Sequence, residues 1–254
     1  MAVNLQIIGI SGTNGSGKDS AGQTLADRHS YLFVSVTDLL RAELNRRNIP
    51  VERENLRALS AEWRREYGLA VLIDRAIEEY NRLKGRYVGV AIASLRNPYE
   101  ADRIHELGGV VMWVDADPQI RYQRIQNNAE ARARAGEDAK SFEEFLAEEE
   151  AEMHSANGDA ATLDMSAVKK KADLFLVNDN TNLPDFQDFI TEQLFCDDST
   201  EHPPVRAPQP DVLSVQKTLP SPEPTQEQIS APPYTTMQGN VQAQPSPTNP
   251  EPPR

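Results

Sequence analysis

Three glycines and a lysine near the start of the chain constrain its fold more than any other feature. Gly12-Thr13-Asn14-Gly15-Ser16-Gly17-Lys18-Asp19-Ser20 follows a short apolar run, Leu5 to Ile10. It opens a helix-like stretch, Lys18 to Arg28, with Ala21, Leu25 and Ala26 on one stripe. Strand, glycine-rich loop and helix in that order make a phosphate-binding loop. Gly12, Gly15 and Gly17 let the backbone curl so that successive N–H groups point inward. The helix start adds a dipole that favours anions, and Lys18 reaches the β and γ phosphates of a nucleoside triphosphate as a point charge. Residues Gly12, Thr13, Asn14, Gly15, Ser16, Gly17, Lys18, Asp19 and Ser20 are therefore the expected nucleotide-binding set.

The residue after the lysine departs from the usual pattern. A hydroxyl normally stands there and meets magnesium; this chain has Asp19, with Ser20 behind it. A carboxylate is a hard oxygen ligand for Mg²⁺, directly or through water. Asp19 is the expected metal residue, set against the simpler reading of a favourable charge at a helix start.

The rest of the first 196 residues alternates strand and helix patterns. Tyr31 to Val36 reads as a strand, and Thr37 or Asp38 as the cap of a helix carrying Leu39, Leu40 and Leu44. Two amphipathic helices, Glu54 to Tyr67 and Leu69 to Leu83, meet near Gly68. Arg86 to Ala93, Val110 to Val114 and Ala172 to Val177 read as further strands. Helices are expected from Pro98 to Leu107, from Asp117 or Pro118 through Ile125, in the charged stretch Asn128 to Met153, and from Leu183 to Phe195. Alternation of this kind predicts an α/β fold with a mostly parallel five-stranded sheet and helices on both faces. The order of the strands in space is not readable from the pattern.

Composition changes after Cys196. Fourteen prolines lie between Pro203 and Pro253, among Gln, Ser, Thr and Glu, with little that could form a core. Residues 197–254 are expected to be a disordered, proline-rich tail, either a solvated extension or a docking segment for a protein partner. The formal charge of -13 argues against broad nucleic-acid or anionic-membrane binding. A single cysteine excludes an intrachain disulfide. Without a signal-like N-terminus or a long apolar run, a cytoplasmic location is expected.

The loop alone does not choose among nucleotide chemistries. A guanine-specifying Asn-Lys-x-Asp is not found; Asn178-Asp179-Asn180 lacks the lysine. No carboxylate directly follows the strand Arg86 to Ala93. Asp115 could approach a metal, whereas Asp117 reads as a helix cap. Arginines stand where phosphate chemistry would use them: Arg41 one turn after Asp38, Arg96 beyond the third strand, Arg121 and Arg124 three apart, and Arg132 and Arg134 in the charged stretch. Arg121 and Arg134 read equally well as solvated surface residues. Arg96 has its own bland reading, a side-chain pair with Glu100.

Over Leu5 to Phe195 the chain resembles P-loop nucleotide kinases related to adenylate kinase and dephospho-CoA kinase, and more closely an archaeal group of predicted nucleotide kinases. The resemblance is carried by the loop and by four segments in order. These are Val34-Ser35-Val36-Thr37-Asp38-Leu39-Leu40-Arg41, Glu54-Asn55-Leu56-Arg57-Ala58-Leu59, Leu95-Arg96-Asn97-Pro98-Tyr99-Glu100 and Ala172-Asp173-Leu174-Phe175-Leu176-Val177-Asn178-Asp179. It implies a P-loop NTPase fold of the nucleoside monophosphate kinase type over residues 1–196. An acceptor-binding helical region would span about 38–83 and a lid about 126–165. It implies that Asp38, Arg41 and Arg96 bind a phosphorylated acceptor and that Asn178 lies beside the donor base. Catalysis would rest on Lys18, Arg96, Arg124 and Arg132, with ATP and Mg²⁺ as cofactors. The Lys18-Asp19 pair resembles the variant in phosphomevalonate kinase and phage deoxynucleotide kinases.

Two departures stand out. Relatives often carry Asp-Gly before the arginine of the third strand, where this chain has Ala93-Ser94-Leu95-Arg96. The lid stretch also sets Glu130, Glu137 and Asp138 beside its arginines. The leading expectation is transfer of the terminal phosphoryl of Mg-ATP to a nucleotide or similar small molecule. The alternative is an ATP-binding or slowly hydrolysing protein that regulates or recruits.

Overall fold

The computed structural model describes residues 5–83, 85–127, 141–179 and 182–195. All fall within the unit Met1–Thr218. The proline-rich tail, Arg132 and Arg134 lie outside the described residues.

The chain runs β1 (Ile7–Gly12), α1 (Lys18–His29), β2 (Tyr31–Ser35), α2 (Val36–Arg46), α3 (Arg53–Tyr67), α4 (Val71–Arg82), β3 (Gly89–Leu95) and α5 (Pro98–Glu106). It continues through β4 (Val110–Asp115), α6 (Pro118–Asn127), α7 (Phe142–Met153), α8 (Met165–Lys170), β5 (Leu174–Val177) and α9 (Leu183–Phe195). The strands form one five-stranded sheet in the order β2-β3-β1-β4-β5, and every pairing is parallel. Parallel strands need long crossovers, and those crossovers cover both faces with helices. All five carboxyl ends share one rim, where open parallel sheets gather ligands.

Period-two alternation divides the core. Leu32, Val34, Val90, Ile92, Val111 and Trp113 face one side and pack with α2 to α5 residues such as Leu40, Trp63, Leu72 and Ile104. Ile8, Ile10, Ala91, Ala93, Met112 and Val114 face the other, against Ala21 and Leu25 of α1 and Phe186 and Ile190 of α9. Fully burying each large aliphatic side chain stabilises the fold by roughly 1.5–3 kcal/mol. The small Ala91 and Ala93 let α1 approach the sheet closely.

Several expected boundaries move. The third strand begins at Gly89 and runs to Leu95, so Arg96 leaves the sheet directly. Ser94 takes φ 73° near the end of that strand, and the register with β1 shifts between Ile10 and Ser11. α2 starts at Val36 with Ser35 at its N-cap, so Thr37 and Asp38 lie in its first turn rather than capping it. α8 was not expected; six residues are too few for periodicity to register. α9 matches its expected span.

Candidate functional site

The glycine-rich loop connects β1 to α1 in the shape its sequence requires. Gly12, Gly15 and Gly17 have φ of 148°, 80° and 97°. A Cβ on Gly12 would sit 2.0 Å from the Val114 carbonyl oxygen, and one on Gly17 would sit 2.4 Å from Asn178 Nδ2. Gly17 is the N-cap of α1 and supplies no side-chain cap, which leaves the first-turn N–H groups suited to an external anion.

Neighbouring strand ends pin the loop. Thr13 Oγ1 donates to Asp115 Oδ1 at 2.9 Å. Asn178 Nδ2 donates to the Ser16 carbonyl at 2.8 Å, and the Asn178 backbone N–H donates to the Asp115 carbonyl at 2.7 Å. Burial pushes the Asp115 carboxyl up, but hydrogen bonds from Trp113, Thr13 and the Ala116 N–H, with the Lys169 charge, hold it below the usual carboxylate range. Asp115 thus grips the loop from β4. Asp117 accepts from the N–H groups of Gln119 and Ile120, the capping role expected of it.

A cavity of about 610 Å³ opens beside this loop. Gly15, Gly17, Lys18, Asp19 and Ser20 line it, as do Arg41, Arg53, Arg57 and Arg96, with Glu152 among them. Arg124, Asn178, Leu183 and Phe186 complete it toward the last strand and helix. The cavity therefore brings together Lys18, Asp19, Arg41, Arg96, Arg124 and Asn178. Asp38 stands behind Arg41 and accepts from it at 2.7 Å. Arg124 Nη2 donates to Asn178 Oδ1 at 3.4 Å, and burial lowers the guanidinium's pKa against the opposing pull of Asp179. Ser94 Oγ donates to Asp19 Oδ1 at 3.3 Å, so the residues before Arg96 offer Asp19 a hydroxyl.

Two expectations about arginines are corrected. Arg121 is not a solvated surface residue. It is buried, donates to the carbonyls of Ala116 at 2.8 Å and Asn14 at 3.3 Å, and pairs with Glu149. Arg96 does not pair with Glu100 through its side chain. Its Nη1 donates to Glu152 Oε2 at 2.5 Å. Glu100 instead accepts from the backbone N–H groups of Arg96 at 2.8 Å and Asn97 at 3.1 Å, while its other oxygen pairs with the buried Arg64 at 2.7 Å. The proximity of Arg96 and Glu100 was legible; which atoms meet depended on α3 arriving with Arg64.

Arg53, Arg57, Arg64 and Glu152 were not picked out from the sequence as site residues. Arg53 and Arg57 are four apart on α3, and Glu148 and Glu152 are four apart on α7, so each pair shares a helix face. Nothing in the sequence said that the two faces meet. Burial would raise the Glu152 carboxyl, but Arg96, Arg53 and Arg57 overcome it and hold it at about 2.

The donor set fits a nucleotide phosphate: positive-φ glycines, an uncapped helix start and a lysine with 7% exposure on the cavity wall. Among the described residues no group of three or more His, Cys, Asp or Glu is arranged to hold a metal. Magnesium would rest on Asp19 together with phosphate oxygens, consistent with its habit of taking one or two carboxylates beside a substrate. Among the described residues no helix is long and apolar enough to cross a membrane.

Loop, parallel sheet and cavity define a P-loop α/β protein. The chain belongs to the AAA-domain family, whose model matches residues 8–151. It is also similar to archaeal UPF0200 proteins. One from Pyrococcus abyssi is 26% identical over 179 residues, 69% of this chain and 88% of the relative. One from Methanococcus maripaludis is 24% identical over 189 residues, 74% of this chain and 93% of the relative. Among solved structures, TT1252 from Thermus thermophilus aligns with TM-score 0.44 and 22% identity, over 74% of this chain and 97% of that one. Shikimate kinase from Acinetobacter baumannii in complex with shikimate aligns with TM-score 0.45 and 14% identity, over 78% and 97%.

Proposed function

We propose that the protein is an ATP-dependent phosphotransferase that moves the terminal phosphoryl of Mg-ATP to a small phosphorylated acceptor, such as a nucleotide. One observation carries this reading. A single cavity is lined both by a phosphate-binding loop and by arginines from α2, α3 and the end of β3. Two anions can therefore be held in the same space, each with its own cationic groups to neutralise its charge.

In this reading Lys18 and the first turn of α1 hold the donor's β and γ phosphates. Arg41 and Arg96 orient the acceptor phosphate, and α2 to α4 form the acceptor side. Arg124 reaches the donor from the last-strand side, and the region 126–165, including Arg132, serves as a lid. Bound magnesium would neutralise phosphate charge beside Asp19. No general base is required, because an ionised phosphate acceptor is already a nucleophile. The donor pool would be cytoplasmic, and a nucleic-acid partner is not called for.

A coupled assay of ADP release, run across nucleoside monophosphates, deoxynucleotides and dephospho-CoA, tests the proposal. Acceptor-stimulated turnover is the expected outcome; ATP binding without stimulation by any phosphorylated acceptor would overturn it. The second reading, an ATP-binding or slowly hydrolysing regulator, has Ser94 in its favour, since that position offers Asp19 a hydroxyl and no second carboxylate. Acceptor-independent ADP release is its signature.

A further inference from the structure

Glu152 is an acid buried among arginines. Its Oε1 accepts from Arg57 Nη2 at 2.8 Å and pairs with Arg53 Nε at 3.1 Å, while its Oε2 accepts from Arg96 Nη1 at 2.5 Å. Its side chain is 9% exposed. Three guanidinium groups from α3 and the end of β3 thus converge on one carboxylate from α7. Arg53 also pairs with Glu148, one turn earlier on the same helix.

Two facts distinguish this cluster from an ordinary structural ion pair. It lines the cavity that contains Lys18, rather than lying between two packed elements elsewhere. Its cationic members also come from elements other than α7, so the arginines and the acid can separate by movement of α7 alone. Planar guanidinium groups bind carboxylate and phosphate through the same two-oxygen fork. A phosphate monoester brings up to two charges and three terminal oxygens, where the carboxylate brings one charge and two oxygens.

We propose that Glu152 is a stand-in anion, whose carboxylate occupies the subsite formed by Arg53, Arg57 and Arg96 until an acceptor phosphate displaces it. The inference rests on the phosphotransferase reading for the word acceptor, and it narrows that acceptor to phosphate monoesters. A molecule offering only a hydroxyl cannot compete for three guanidinium groups. Glu152 is therefore a specificity residue: it sets the charge an acceptor must carry to enter. Glu149 on the same helix pairs with Arg121, which donates to the Asn14 carbonyl, so α7 is linked to the phosphate-binding loop as well.

The test uses the full chain carrying Lys18→Ala, which weakens the donor loop, with and without Glu152→Gln. Inorganic phosphate is titrated calorimetrically at fixed ionic strength. Removing the competing charge should tighten phosphate binding about tenfold, a change of about 1.4 kcal/mol. Adding Arg57→Gln should abolish the gain. Equal or weaker binding in the Glu152→Gln protein would overturn the proposal. Thermal unfolding with and without phosphate covers a destabilised variant: phosphate should raise its midpoint more than that of the parent. A loss of stability that phosphate does not recover would make Glu152 a structural partner only, and the proposal would fall. Nothing turns over in this assay, so its failure leaves the phosphotransferase reading standing. A fruitless acceptor screen, in turn, does not alter the phosphate result.

Discussion

Arg96 is held at three points. Its N–H donates to Glu100, its carbonyl accepts from the Asp164 N–H at 2.9 Å, and its guanidinium reaches Glu152. A side chain with so fixed a base can aim its charge at one place. Arg96→Ala should therefore damage acceptor use far more than ATP binding. Losing one charge-assisted phosphate contact costs roughly 2–4 kcal/mol of transition-state stabilisation, about 30- to 1000-fold in the acceptor's specificity constant. Steady-state kinetics with ATP saturating and the acceptor varied would measure it; an unchanged constant in a folded variant would remove Arg96 from the site. Lys18→Ala should lose most ATP affinity while circular dichroism stays that of the wild type, because a cavity-wall lysine contributes charge and little packing. Acidity probes Glu152. Its folded carboxyl titrates at about 2 against an ordinary 4.5. The stability it contributes is complete above the ordinary value and is lost as pH falls toward the folded one. The stability difference between wild type and Glu152→Gln, from urea unfolding, should hold level near neutrality and shrink on acidification over that window.

Elements were legible where their pattern is local. β1, its loop and α1 announce themselves within the 23 residues from Ile7 to His29, and the loop's glycines demand a backbone that only glycine adopts freely. Pro98 opens α5 as expected, and the structure adds a capping box between Asn97 and Glu100. What stayed hidden is which faces meet. Arg64 reads as one more charge on an amphipathic helix, yet its side chain is 1% exposed and is paired with a Glu100 side chain that is 0% exposed. This pair ties α3 to α5, and Arg64 also donates to the Ala161 carbonyl at 3.1 Å. Breaking it strands a charge in the interior. Glu100→Ala should cost about 3–5 kcal/mol in denaturant unfolding. It should also weaken acceptor binding, because the backbone of Arg96 loses its anchor. A loss below about 1 kcal/mol would mean that water or a neighbour replaces the carboxylate at little cost.

At the scale of the molecule, the fold class was readable because strands and helices alternate, and the strand order was not, because alternation is the same for every order. The cavity was only half readable: the loop residues that line it are contiguous in sequence, while its arginines are gathered from α2, α3 and the end of β3. Every described residue lining the cavity precedes Gln187. A chain lacking residues 197–254 should therefore bind ATP with an affinity close to that of the whole chain. Titration of labelled ATP would check this, and a large loss would mean that the tail reaches the site. One feature of the loop bears on time rather than space. Gly17 fits against Asn178 and Phe186, and Asn178 bonds the loop across 162 residues of sequence. Contacts between such distant segments form late and slowly. The loop is thus finished long after it is synthesised: it acquires its working shape only once β5 and α9 have been made and have docked. Opening of α9 should cost the protein its grip on phosphate before the central sheet begins to melt.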